Sequence, residues 1–156
     1  MVSRRSGGEQ NCIQKVRHSK LKLADPGTAR TAILLNHDKT QVRRIRVDGC
    51  LAPAGTVSAD WVASKPKVVD VVVELKGRNV DHAVDQIEAT WRFWRGHVEH
   101  DDDQDIGAWI LCSEYPRAST KVARYRESFR ARGSILIIST HNGEQRPFSD
   151  FVPAHS

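Results

Sequence analysis

Hydrophobic and polar positions follow two periods along this chain, and their succession predicts its elements. Glu9, Cys12, Ile13 and Val16 stand at i, i+3, i+4 and i+7, the spacing of one helix face, so a first helix is expected over residues 9–19. Residues 31–36 read as a short strand and 37–39 as a turn. Residues 41–47 read as a second strand, with Val42 and Ile45 among charged and polar neighbours. Asp48-Gly49 reads as a bulge or turn. Strands are expected over 57–63 and 68–76, joined by the turn-forming run Ser64-Lys65-Pro66-Lys67. Gly77 ends the second of these. Asn79 or Asp81 then caps a helix to about Trp94, whose apolar stripe is Val80, Val84, Ile87, Trp91 and Trp94. An acidic loop over 96–105 leads to a buried strand over 107–112. A helix capped by Ser119 or Thr120 runs through Arg130 and is ended by Gly133, and a last apolar strand covers 134–139.

This order predicts an α/β (α+β) fold: a central mixed β-sheet flanked by helices. A chain of 156 residues is about one domain, so a single domain over 1–156 is expected, with its core at about 9–139 and a turn and tail over 140–156. The longest apolar run, near Val68 to Val73, is interrupted by Asp70 and is too short to cross a bilayer. The basic N-terminus lacks the apolar stretch of a secretory signal, so a cytoplasmic protein without a membrane partner is expected. Cys12, Cys50 and Cys112 form no CxxC pair and are expected to be reduced, mostly buried thiols.

Charge is unevenly spread. Residues 1–50 carry 11 Lys/Arg against 4 Asp/Glu, residues 51–116 carry 6 against 12, and residues 117–156 carry 7 against 3. Basic segments therefore flank an acidic middle, as suits a metal-binding acidic site between surfaces that hold a polyanion, although charges that merely solvate the surface would read the same way.

The acidic middle contains a specific arrangement. Strand alternation puts Asp70, Val72, Glu74 and Lys76 on one face and Val69, Val71, Val73 and Leu75 on the other. A hairpin turn centred near Lys67 pairs residues whose numbers sum to 134, and so sets Asp60 opposite Glu74. Two facing carboxylates repel unless a cation lies between them, and hard oxygen donors suit Mg²⁺ or Mn²⁺. Such an ion can activate a water against a phosphodiester, with the Leu75 carbonyl as a further ligand and Lys76 orienting the water or stabilising the transition state. The plainer reading is a surface Glu74–Lys76 ion pair at a strand end.

Asp60 with Glu74-Leu75-Lys76 resembles the signature of the PD-(D/E)XK nuclease superfamily, which includes restriction endonucleases, Holliday-junction resolvases and RecB-like nucleases. The resemblance implies a restriction endonuclease-like α-β-β-β-α-β core and a Mg²⁺-dependent endodeoxyribonuclease. Asp60, Glu74 and the Leu75 carbonyl would be its metal ligands, Lys76 its catalytic cation and DNA its partner; a homodimer would suit double-strand cleavage. The family often has an acidic residue on its first helix, which would be Glu9. Its RecB-like branch has a Gln on the helix after the Lys strand, which would be Gln86. Ala59 stands where the motif has Pro, and Thr90 where the RecB-like pattern has an aromatic residue. Two other readings are an inactive nuclease-like nucleic-acid-binding module and a protein-interaction module of immunity or regulatory type.

The remaining candidates have plainer explanations. The run from His97 to Asp105 lacks helical HExxH spacing and reads as a solvated acidic loop. Asp70 reads as a secondary ligand or an edge-strand charge. Arg117, Lys121, Arg124, Arg126, Arg130 and Arg132 could track a phosphate backbone or solvate a helix. Trp61, Trp91, Trp94 and Trp109 read as core.

Overall fold

Strand β6 (Val69–Leu75) organises the molecule, because all seven of its residues are buried and both of its faces need cover. The computed structural model describes residues 11–25, 27–76, 78–115 and 118–154. On one side β6 pairs antiparallel with β5 (Trp61–Lys65), and on the other it runs parallel to β7 (Ile106–Leu111). Outside these lie β4 (Val42–Arg46) and β1 (Ile13–Val16) at one edge and β8 (Leu136–Ser139) at the other, giving the order β1-β4-β5-β6-β7-β8. A second sheet has the order β2-β3-β9, from Lys20–Ala24, Thr31–Leu35 and Gln145–Pro147.

The alternation expected of β6 is the one observed. Val72 faces a core built with helices α1 (Val80–Arg95) and α2 (Thr120–Ala131). Val69, Val71, Val73 and Leu75 face a second core with Leu21, Leu23 and Leu34 of the small sheet and with Phe148 and Phe151 of a 3₁₀ turn. Both helices lie on one face of the central sheet and the second sheet covers the other, so the layers are helix, sheet, sheet rather than a sheet with helices on its faces. The caps are Asn79, which accepts from the His82 N–H, and Ser119, which accepts from the Val122 N–H.

Four departures from the sequence reading have physical causes. The helix expected over 9–19 gives way, within the described residues, to a helical end at 11 and 12 followed by β1, which pairs Ile13 with Ile45 and Val16 with Val42. Ile13 and Val16 are β-branched, and β4 offers them a partner that an isolated helix lacks. Lys20-Leu21-Lys22-Leu23 is a strict alternation and forms β2, its leucines fully buried. Strand β5 begins at Trp61 rather than Val57, because helix α1 holds the backbone of 58 and 59 instead. The tail supplies β9 and the two phenylalanines of the second core.

The cysteines also differ from expectation. Cys12 and Cys50 form a disulfide across 38 residues, with Cα atoms 5.7 Å apart, and only Cys112 is a free buried thiol among the described residues. The bridge ties the start of β1 to the turn after β4, whose Gly49 has φ 74°. Reducing it, or replacing Cys12 and Cys50 by Ser, is expected to lower stability by about 2–4 kcal/mol. Urea titrations with and without reductant measure this: the wild-type midpoint should fall on reduction and that of the double variant should not move. An unchanged wild-type midpoint would show that the bridge contributes nothing. No described helix is long and apolar enough to cross a membrane.

Candidate active site

The register of the β5–β6 hairpin decides what meets at its open end. Pro66 and Lys67 form its turn, closed by the Val68 N–H on the Lys65 carbonyl at 3.0 Å, with Lys67 at φ 67°. Gln104 holds the turn from outside. Its Oε1 accepts the Lys67 N–H at 2.8 Å and its Nε2 donates to the Lys65 carbonyl at 3.1 Å. The paired residues are Lys65 with Val69, Ala63 with Val71 and Trp61 with Val73. The numbers sum to 134 as the sequence reading required, and one step further outward Asp60 meets Glu74.

The two residues are joined through their backbones as well. Glu74 Oε1 accepts the Asp60 N–H at 3.1 Å, and Asp60 Oδ2 accepts the Leu75 N–H at 2.9 Å. Lys76 Nζ lies 3.9 Å from Glu74 Oε2. Glu74 is 2% exposed, and burial pushes its carboxyl up to about 9, with the Asp60 charge and the hydrogen bond that protonated Glu74 donates to the Asp60 carboxylate adding to the effect. Lys76 and the Asp60 N–H only partly oppose this. Burial raises Asp60 too, against the pull of the Leu75 N–H and Glu74, and the charges of Asp25 and Asp48 raise it further. Burial and mutual repulsion therefore favour a pair that carries one proton between its two carboxyls.

Helix α1 supplies the wall behind this pair. Gln86 Nε2 donates to the Ser58 carbonyl at 3.2 Å, while its buried Oε1 has no hydrogen-bond partner among the described residues. Thr90 Oγ1 accepts the Ala59 N–H at 2.7 Å. Ala59 and Thr90 thus form one arrangement: Ala59 has an N–H that Pro would lack, and the buried Thr90 hydroxyl receives it. Ser58 was not singled out from the sequence, where Asp48 was read only as part of a turn and Thr90 only as a departure from the motif. The Ser58 hydroxyl donates to Asp48 Oδ1 at 3.1 Å, which fixes the segment leading into Asp60.

The other candidates fall elsewhere. Glu9, Gly77 and Arg117 lie outside the described residues. Asp70 is not an edge charge: it is fully buried on the central strand. It accepts from Trp94 Nε1 at 2.7 Å and Gln104 Nε2 at 2.6 Å, and lies 2.8 Å from His100 Nδ1. The loop read as wholly solvated is exposed at 101–103 but anchored by His100 and Gln104. On α2 and its flank, Lys121 pairs with Asp85, Arg126 with the Tyr115 hydroxyl and Arg132 with Glu88 through two bonds. Arg124 and Arg130 of the same helix remain exposed. Trp91, Trp94 and Trp109 are buried, whereas Trp61 is half-buried between Arg44 and Arg46.

Among the described residues no three Cys, His, Asp or Glu side chains gather as a metal-ligand group. The donor set that is present comprises two carboxylates and the Leu75 main chain. Its chemistry fits a hard divalent cation, since two adjacent buried carboxyls that share one proton would both ionise only against added positive charge. No family model matches this chain, and no curated protein or solved structure matches it either.

Proposed function

We propose that this protein is a metal-dependent nuclease of PD-(D/E)XK type that hydrolyses DNA phosphodiester bonds. The observation that carries the reading is the hairpin register, which brings Asp60, Glu74 and Lys76 to one point at the end of the central strands. Open α/β sheets commonly bind ligands beyond the carboxyl ends of their strands, where Glu74 and Lys76 stand.

Asp60, Glu74 and the Leu75 carbonyl would hold Mg²⁺ or Mn²⁺. Such an ion supplies Lewis acidity and lowers the pKa of a water molecule. Lys76 faces outward from Glu74 and neutralises charge that develops on the phosphate oxygens as the bond to the attacking oxygen forms and that to the leaving oxygen breaks. Gln86, donating through Nε2 to the Ser58 carbonyl, braces the segment that leads into Asp60. Thr90 and Ser58 set the height of the Asp60 backbone against Glu74. Cytoplasmic placement belongs to the same reading. There the Cys12–Cys50 pair would meet reducing conditions, and the disulfide experiment above measures what the fold loses when it opens.

The test uses the purified chain with supercoiled, linear, single-stranded and branched DNA in Mg²⁺ or Mn²⁺, with EDTA and Lys76→Ala as controls. Metal-dependent cleavage that falls by about 10²–10³-fold in Lys76→Ala is expected. Cleavage indifferent to EDTA and to Lys76→Ala would sink the mechanism. Salt-sensitive DNA binding without cleavage would favour an inactive nucleic-acid-binding module, and neither binding nor cleavage would favour a protein-interaction module.

A further inference from the structure

We propose that the crevice between the β2–β3 turn and the ends of β7 and β8 is a phosphate subsite for a nucleic-acid strand running away from the cleavage point, with Arg30 as its cation. This rests on the nuclease reading and extends it to how the substrate is held. The crevice is a cavity of about 360 Å³, lined among others by Thr28, Arg30, Cys112, Ser113, Thr140 and Asn142.

Arg30 stands apart from most arginines near the two sheets. Arg43 is spent on Glu99 and Ser64, Arg44 on Gln14 and the Lys22 carbonyl, and Arg146 on Glu144 and Asp150. The half-buried Arg30 guanidinium makes no hydrogen bond or ion pair with any described residue, and its charge acts on the Cys112 thiol at the crevice floor. A guanidinium held in a crevice without a carboxylate is matched in shape and charge by phosphate oxygens, which it can receive through two parallel N–H donors.

The frame that presents Arg30 is built from both sides. Asp25 accepts the Gly27 N–H at 2.9 Å and the Thr28 hydroxyl at 3.0 Å, and Thr28 Oγ1 accepts the Arg30 N–H at 3.2 Å. From across the crevice, Asn142 Oδ1 accepts the Thr31 N–H at 2.8 Å and Asn142 Nδ2 donates to the Ala29 carbonyl at 3.3 Å. The turn is therefore preorganised, so little ordering remains to be done on binding.

The crevice adjoins the strand that carries the candidate active site. The Lys76 N–H donates to the Leu111 carbonyl at 2.7 Å, Leu111 lies opposite Leu75, and Cys112 follows it. One strand spacing, about 4.8 Å, thus separates the Glu74-Leu75-Lys76 backbone from the crevice wall. On its other side the same turn carries Asp25, whose charge reaches Asp60. A strand whose phosphate sits at Lys76 would pass its neighbouring phosphate over Arg30.

The experiment separates this proposal from the one beneath it. In the Lys76→Ala background, binding of a fluorescein-labelled DNA duplex and of its single strand is followed by anisotropy across a salt series. Adding Arg30→Ala is expected to weaken binding about tenfold and to reduce the slope of log Kd against log salt by about one. Arg30→Lys should keep the slope while recovering part of the affinity. In the wild-type background Arg30→Ala should act mainly on KM rather than kcat. An unchanged slope and KM in Arg30→Ala, with cleavage still dependent on Lys76, would overturn the subsite and leave the nuclease reading standing. A reduced slope in a chain that never cleaves would uphold the subsite as a phosphate site and remove the nuclease.

Discussion

Glu74→Gln should sharply reduce the proposed cleavage and at the same time make the protein more stable at alkaline pH. The carboxyl is held at about 9 in the folded chain against an ordinary value of 4.5. Between these values the folded state binds the proton that the unfolded state has lost, so stability is full below about 4.5 and declines as pH rises towards 9. A glutamine cannot ionise and keeps the hydrogen-bonding shape of the protonated acid, so the variant should lose most of this slope. At pH 9 the gain is on the order of a few kcal/mol, or about 5–10 °C in Tm. Thermal melts of both proteins from pH 5 to pH 9 give the comparison, and parallel curves would refute a buried carboxyl that is costly to ionise. Mg²⁺ should raise the wild-type Tm by mass action and leave the variant nearly unmoved. Activity should fall by about 10²-fold or more.

Asp70→Ala should be the most destabilising single substitution away from the apolar cores. The carboxylate is fully buried and serves Trp94 and Gln104 as hydrogen-bond acceptor, with His100 against it. Removing it leaves these groups without their partner in a dry setting, which costs about 3–5 kcal/mol. That is a large share of the stability of an ordinary domain. Asp70→Asn offers no relief, because one of its two oxygens becomes a donor facing a donor. Urea denaturation reads the loss, with Asp102→Ala in the exposed part of the same loop expected to fall within about 0.5 kcal/mol of wild type. Gln104 gives the substitution a second consequence: the same side chain pins the β5–β6 turn. Loosening it should let the hairpin slip and separate Asp60 from Glu74, so Asp70→Ala should lose activity before it unfolds.

The hairpin was legible in the sequence because its information is local. Pro66 and Lys67 mark the turn, the period of two assigns the faces, and both facts together set Asp60 across from Glu74 without reference to the rest of the chain. Helices α1 and α2 were legible for the same reason, through their caps and stripes. Asp70 was misread because the spacing of a charge along a strand does not tell whether a loop some thirty residues later returns to cover it. The first strand was misread because Cys12, Ile13 and Val16 fit a helix face and a short strand equally, and its partner Ile45 is remote. The disulfide was invisible, since pairing of two cysteines 38 residues apart follows from β1 meeting β4, not from any spacing rule. At the site, Thr90 looked like a missing aromatic until Ala59 supplied the N–H it receives.

The Cys12–Cys50 bridge has a mechanical consequence. It closes a loop that contains β1 to β4, including the β2–β3 turn with Arg30 and Asp25. A chain drawn out from its two ends would pass its tension through the sulfur atoms and bypass that loop. About 130 Å of contour length would stay hidden. While the bridge is oxidised, the β2–β3 hairpin therefore hangs from a stapled ring, sheltered from pulling or threading forces that act on the chain outside it.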